Sequence, residues 1–263
     1  MSRDGLTRAL ALLCVPALLA GAALLPLAAM DRADRARLEA VHPLPGAVDT
    51  GAPSAEALRI PLVEALYRTL LVRDTDAHAP YLPGEDAAPL DCAEQDVRDA
   101  FDLLRPALPG DWAALADTLF AQAEDAACAG WALEGGFSRR ELTFSRTVQG
   151  ERCVLGTLEL VLAPDGVTPV QMNLYLNAFQ LPRPAEFAPP QDPADPLGAL
   201  EDVAGRMGLG ALDWQSVPLD ADGYWCLASE QAHLRLVLHA WSNPSVGTYL
   251  LDVALTMVEG GLA

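Results

Sequence analysis

The strictest constraint on this chain is an alternation of side-chain character between residues 151 and 181. Val170, Met172, Leu174, Leu176 and Ala178 share one parity, while Gln171, Asn173, Tyr175 and Asn177 share the other. Successive side chains of a strand point to opposite faces, so this run reads as a strand with one buried and one wet side. Upstream, Val154, Gly156, Leu158, Leu160 and Leu162 also share a parity, and Pro164, Asp165 and Gly166 supply turn chemistry between the two rows. Folding the chain there predicts a hairpin with Leu162 near Val170 and Leu158 near Leu174, both rows facing one core.

The same alternation returns in Tyr249, Leu251, Val253, Leu255 and Met257. Before the hairpin the period is helical. Ser54 is placed to cap a helix in which Leu58, Leu62, Leu66 and Leu70 fall on one face, with Pro61 in its first turn. A second helix opens at Asp91, with Glu94 as a capping-box partner, and turns Val97, Ala100, Phe101 and Leu104 inward. Asp111 caps a third, which buries Trp112, Leu115, Leu119 and Ala123 and exits at Gly130. The short link 106–110 predicts an antiparallel pair. Strand signals follow at 131–133 and at 141–148, where Leu142, Phe144 and Val148 share a face.

After a Pro-rich crossing, 181–196, a helix over 197–207 precedes strands at 211–217, 224–229, 233–241 and 248–258. The expected fold class is α+β, with N-terminal helices packed on antiparallel sheet and a duplicated helix-plus-four-strand unit. The chain divides into a signal peptide or membrane anchor (1–30), a tether (31–53), a helical layer (54–130), a first sheet unit (131–195) and a second helix-plus-sheet unit (196–263). This order of elements resembles the sandwiched α+β modules found among secretion chaperones, and fold does not fix function.

Arg3 and Arg8 precede an uncharged run, 9–30, interrupted by Pro16 and Pro26. Ala20, Gly21 and Ala22 form a small-x-small site after an apolar stretch of signal-peptide length. The run is also long enough to span a bilayer. Leu13 stands where a lipid attachment at Cys14 would need a small residue. Both readings place the body of the chain outside the cytoplasm, periplasmic or secreted, with membrane contact only through residues 9–30.

Composition decides against one class of partner. The chain carries 36 acidic and 17 basic residues, a formal charge of −19, and no Lys. Such a surface repels phosphate backbones, which excludes nucleic acid and leaves a protein partner as the expectation. Enzyme signatures are missing too. There is no Gly-x-Ser-x-Gly elbow and no His-Glu-x-x-His, and a phosphate loop would need the absent Lys. Gly205, Gly208 and Gly210 follow a helix instead of opening one. No cofactor and no metal site is expected.

Four Cys follow the leader: Cys92, Cys128, Cys153 and Cys226. In an oxidising compartment an even number implies disulfides. Antiparallel helices would bring Cys92, at the start of the second, beside Cys128, at the end of the third. Elimination then leaves Cys153 with Cys226. His233, Arg235, His239 and Trp241 share the non-core parity of one strand and form a candidate ligand face. They are poorly spaced for one metal, because His233 and His239 lie about 20 Å apart in a strand. Asp74, Asp76, His78 and Glu85 match several positions of a calcium loop, but Ala79 stands where its sharp turn demands Gly. The sequence points to an exported, non-enzymatic envelope module for binding or assembly. The alternative is an extracytoplasmic enzyme of unrecognised type, a hydrolase.

Overall fold

Backbone pairing follows the alternation through the middle of each long strand and departs from it where the strands bend. The computed structural model describes residues 52–72, 87–181, 188–191, 193–218 and 223–257, all within the compact unit Gly46–Ala263. Among the described residues nine strands form one antiparallel sheet. They are β1 (Pro89–Leu90), β2 (Asp125–Ala132), β3 (Ser138–Val148), β4 (Glu151–Leu162), β5 (Pro169–Asn177), β6 (Gln215–Val217), β7 (Tyr224–Ser229), β8 (Leu234–Asn243) and β9 (Thr248–Met257). Their order across the sheet is β1-β2-β3-β4-β5-β9-β8-β7-β6. Two meanders, β2 to β5 and β6 to β9, meet along their last strands.

Four α-helices accompany the sheet: α1 (Pro61–Val72), α2 (Glu94–Leu104), α3 (Gly110–Gln122) and α4 (Pro196–Arg206). The fold is therefore mixed α+β. The helices are not gathered ahead of the sheet, for α4 lies between β5 and β6 along the chain. Nor are there two sheets. β9 hydrogen-bonds β5 on one side and β8 on the other, so the strands on both sides of α4 share one ladder.

One face of the sheet is apolar. Leu142 and Phe144 from β3, Leu158 and Leu160 from β4, Leu174 from β5, Leu251 and Val253 from β9, and Leu236 and Leu238 from β8 are all buried. Against them pack Val97, Phe101 and Leu104 of α2, Trp112, Leu115 and Leu119 of α3, and Leu200 and Val203 of α4, in one continuous core. Leu158 pairs with Leu174, as the hairpin pattern predicts, and Asp165 closes the turn by accepting from the Val167 and Thr168 amides, each at 2.9 Å. Gly156 of β4 lies beneath Leu119 of α3. A Cβ there would collide with the Leu119 side chain and the Tyr175 carbonyl.

A bulge accounts for one parity error and a strand end for the other. The β3–β4 register shifts between Phe144 and Ser145, leaving Leu155 as the extra residue. Leu155 is wholly buried while Val154 is 46 % exposed and Val148 is 39 % exposed, so neither valine shares the core row assigned to it. The bulge adds one residue to β4, so the side chains of that strand before Leu155 change face, whereas Val148 of β3 keeps its parity and is exposed at the strand end beside the turn at Gln149 and Gly150.

Helix boundaries also move. Ser54 caps a short 3-10 turn, Ala57–Arg59, through the Ala57 amide at 3.1 Å, and Pro61 then begins α1. α2 begins at Glu94 with Ala93 at its cap, and the Asp91 carbonyl accepts from the Arg140 guanidinium. α3 stops at Gln122, and the stretch expected to finish it, through Gly130, is β2. That stretch is rich in Ala, whose helical preference is outweighed by eight residues of pairing with β3.

Candidate functional site

The face of the sheet away from α2, α3 and α4 carries the wet-parity residues, and the ladder sets six of them in line. Glu141 of β3 stands opposite Glu159 of β4, Glu159 opposite Asn173 of β5, and Asn173 opposite Asp252 of β9. Asp252 in turn faces His239 of β8, and His239 faces Tyr224 of β7. A neighbouring row runs Thr157, Tyr175, Leu250, Trp241. Directly opposite residues have Cβ atoms about 5 Å apart, so each row is a continuous line of contact.

The two ends of the six-residue row differ in chemistry. At the β3–β4 end, Arg139 bonds Glu159 at 2.5 Å and reaches Glu141 at 3.5 Å, while its guanidinium stands 5.4 Å from the centre of the Trp131 ring. Thr143 donates to Glu141 as well, at 3.3 Å. Those charges are spent on one another.

At the β9–β7 end they are not. The His239 imidazole lies flat on the Tyr224 ring, with centroids 3.8 Å apart and planes 7° from parallel. Burial pushes His239 down to about 4, so the ring is neutral at pH 7. Asp252 has no ion-pair partner among the described residues, and its Oδ1 is sealed from water with no hydrogen-bond donor. Burial, and then the charge of Glu159, push its carboxyl up to about 7. A carboxyl poised between charge states therefore sits across from a neutral imidazole.

The four residues expected to form a ligand face divide three to one. Arg235, His239 and Trp241 lie on this face of β8. His233 does not join them. It precedes the strand in a turn, with φ of +53°, and is buried. The strand starts one residue later than the alternation suggests, so His233 obeys the geometry of the turn. Asp252, Asn173, Glu159 and Tyr224 escape sequence reasoning because their line depends on β5 pairing with β9 across long sequence separation. The one available signal is Asp252 itself, a charge inside an otherwise apolar and hydroxylated strand.

The cysteines also divide. Cys92 and Cys128 are bridged, with Cα atoms 5.5 Å apart. The reason differs from the helix pairing expected, since Cys128 lies in β2 opposite Leu142 and Cys92 lies in the extended lead-in to α2. The bridge therefore ties that lead-in to the sheet. Cys153 and Cys226 are free, so the second expected bridge does not form. They sit in β4 and β7, four strand spacings or roughly 19 Å apart across the sheet, and the Cys226 row meets β4 at Val161, well along the strand from Cys153. Burial pushes the Cys226 thiol up to about 11, against the pull of Arg235, which leaves it a poor nucleophile.

A separate cavity of about 360 Å³ lies where α1 passes the turn at Glu134–Gly136. Its Glu64 and Arg68 bond each other at 2.5 Å, and the Thr69 hydroxyl donates to the Ala65 carbonyl. Asp252, His239 and Tyr224 do not line it. Among the described residues no group of three His, Cys, Asp or Glu side chains could hold a metal ion. The calcium-loop candidates Asp74, Asp76, His78 and Glu85 lie outside the described residues, as do the leader and the tether through residue 51. No helix among the described residues is long and apolar enough to cross a membrane. No family model, curated protein or solved structure matches the chain.

Proposed function

We propose that this protein is an exported, non-enzymatic binding or assembly module of the cell envelope, and that the β5–β9–β8–β7 face is its working surface. The observation that carries the reading is the in-register row Asn173, Asp252, His239, Tyr224, flanked by Tyr175 and Trp241. Polar groups with aromatic neighbours, spread along a sheet instead of converging in a cavity, suit a macromolecular partner better than a small substrate. The formal charge of −19 directs the choice to a protein and away from nucleic acid. Export is supported by the leader-like segment and by the Cys92–Cys128 bridge, which an oxidising compartment would preserve. The test is purification of the native protein from its envelope, alongside a Trp241→Ala, Tyr175→Ser variant. A partner held by the native chain and released by the variant supports the reading; one retained equally by both overturns it.

A second reading, an extracytoplasmic hydrolase, is favoured by the opposition of Asp252 and His239, a carboxyl near 7 beside a neutral imidazole. That neither residue lines the cavity beside α1 argues against it. Hydrolytic activity abolished by Asp252→Asn would make it the better account. We also propose that the two meanders descend from one helix-plus-four-strand unit, supported by a strand order that reads alike outward from the β5–β9 seam. Comparing residues 131–195 with 196–263 across related chains tests this. Similarity no greater than in shuffled sequence would sink it.

A further inference from the structure

We infer that Asp252 and Arg235 are paired anchor points for an extended protein segment bearing a cationic and an anionic side chain four residues apart. The inference rests on the binding reading above and names the chemistry of its partner.

Its first support is that Asp252 is the one carboxyl of the six-residue row left without a cation. Arg139 is committed to Glu159 and Glu141. His239 is held in its stack on Tyr224 and contributes no charge. Asn173, the neighbour on the other side, is neutral. A buried carboxylate oxygen with no donor costs free energy unless something supplies one. Asp252 as a whole keeps part of its surface, so a group laid on the face can reach it. The flat Tyr224–His239 stack beside it offers the kind of π surface on which a guanidinium rests.

The second support is a matching defect of opposite sign. Arg235 lies on the same face of β8, its Nε is sealed without an acceptor, and it has no ion-pair partner among the described residues. In the ladder Arg235 faces Thr256 while His239 faces Asp252. The two unspent charges are therefore separated by four residues along the strands, roughly 13 Å at strand rise. Between them lie Val237 and Ala254, an apolar floor. A segment in extended conformation repeats its side chains on one face every second residue. Side chains at i and i+4 meet the two charges, and the one at i+2 meets the floor.

The ligand's cation would draw the Asp252 proton off. The groups around Asp252 are Glu159 and Glu141 with Arg139 on the β3–β4 side, and His239, Tyr224 and Arg235 on the β8–β7 side. In the unbound chain none of them brings a free cation to the carboxyl, for Arg139 is paired and Arg235 stands four residues along the strand, so binding near pH 7 should release the fraction of a proton that Asp252 holds.

The probe is the end-blocked octapeptide Thr-Val-Arg-Thr-Val-Thr-Glu-Val, with a second peptide in which Arg and Glu exchange places. Both are titrated calorimetrically into the full chain at pH 7, in two buffers of different ionisation enthalpy. The expected result is binding of one order or both, with proton release. Replacing the peptide's Arg by citrulline, or Asp252 by Asn, should each weaken binding about tenfold or more. The two changes together should cost no more than either alone, and Asp252→Asn should abolish the proton release. Asp252→Asn is nearly isosteric and removes a buried charge, so folding should survive, and Arg235→Gln provides an independent arm against the peptide's Glu. Undiminished binding to Asp252→Asn, or no binding of either peptide, overturns the inference. The envelope purification separates the two failures. A partner lost by the Trp241, Tyr175 variant but retained by Asp252→Asn leaves the binding face standing and removes only this inference.

Discussion

Asp252 and His239 move stability in opposite directions with pH. The Asp252 carboxyl is raised to about 7, so the folded state holds a proton that the unfolded chain releases, and stability from this group falls as pH rises from about 4 to 7. His239 is lowered to about 4, so the unfolded chain takes up a proton first, and stability from this group falls as pH drops from about 6.5 to 4. In the native chain the two slopes largely cancel. Asp252→Asn should expose the histidine slope, and His239→Gln the carboxyl slope, each up to roughly 1.4 kcal/mol per pH unit. Denaturant titrations from pH 4 to 7.5 check this, and parallel slopes in the two variants would contradict it. Half of this site was legible beforehand. Arg235, His239 and Trp241 stood out because a strand period and unusual residue types coincide. Asp252 did not, because a lone carboxylate becomes informative only once its cross-strand neighbours are known.

At the level of elements, local pattern and long-range pairing carry different information. The β4–β5 hairpin was readable because its turn and both apolar rows lie within one short stretch. Replacing Leu174 by Ala should cost about 2–5 kcal/mol, and replacing Asn173 far less, since the first is buried against the helices and the second lies on the opposite face. Equal losses by chemical denaturation would mean the faces are misassigned. Gly156→Ala should be a damaging change for its size, because the added methyl meets the Tyr175 carbonyl as well as the Leu119 side chain. Trimming Leu119 to Ala in the same chain should recover little, as backbone cannot give way where a side chain can; full recovery would show that Leu119 alone sets the fit. The overrun of the third helix has the opposite origin. An Ala-rich stretch favours helix locally, and only β3, supplied later in the chain, overrides that preference. The bulge at Phe144–Ser145 is invisible to a parity count for the same reason.

For the molecule as a whole, the Cys92–Cys128 bridge joins the lead-in to α2 to a strand near the sheet margin. Replacing both cysteines by Ser should lower stability by about 3–4 kcal/mol in the chain-entropy account. The Asp252 site, far across the sheet, should be unaffected. Peptide binding by the doubly substituted chain, measured under folded conditions, checks that separation. The pairing could be anticipated from sequence, yet by an argument about helix ends that the fold does not use. Cys92 and Cys128 meet because an extended segment crosses the apolar face beside β2.

The place of β9 has a consequence for the order of events during synthesis. It is the last of the nine strands along the chain, and it occupies the seam between β5 and β8. Until residues 248–257 emerge, the β2–β5 meander and the β6–β8 hairpins have no ladder in common, and both present unpaired inner edges. A growing chain can collapse locally but cannot close its sheet. For a chain exported as proposed above this delay is useful, because a polypeptide whose sheet cannot close before β9 is made remains threadable up to that point.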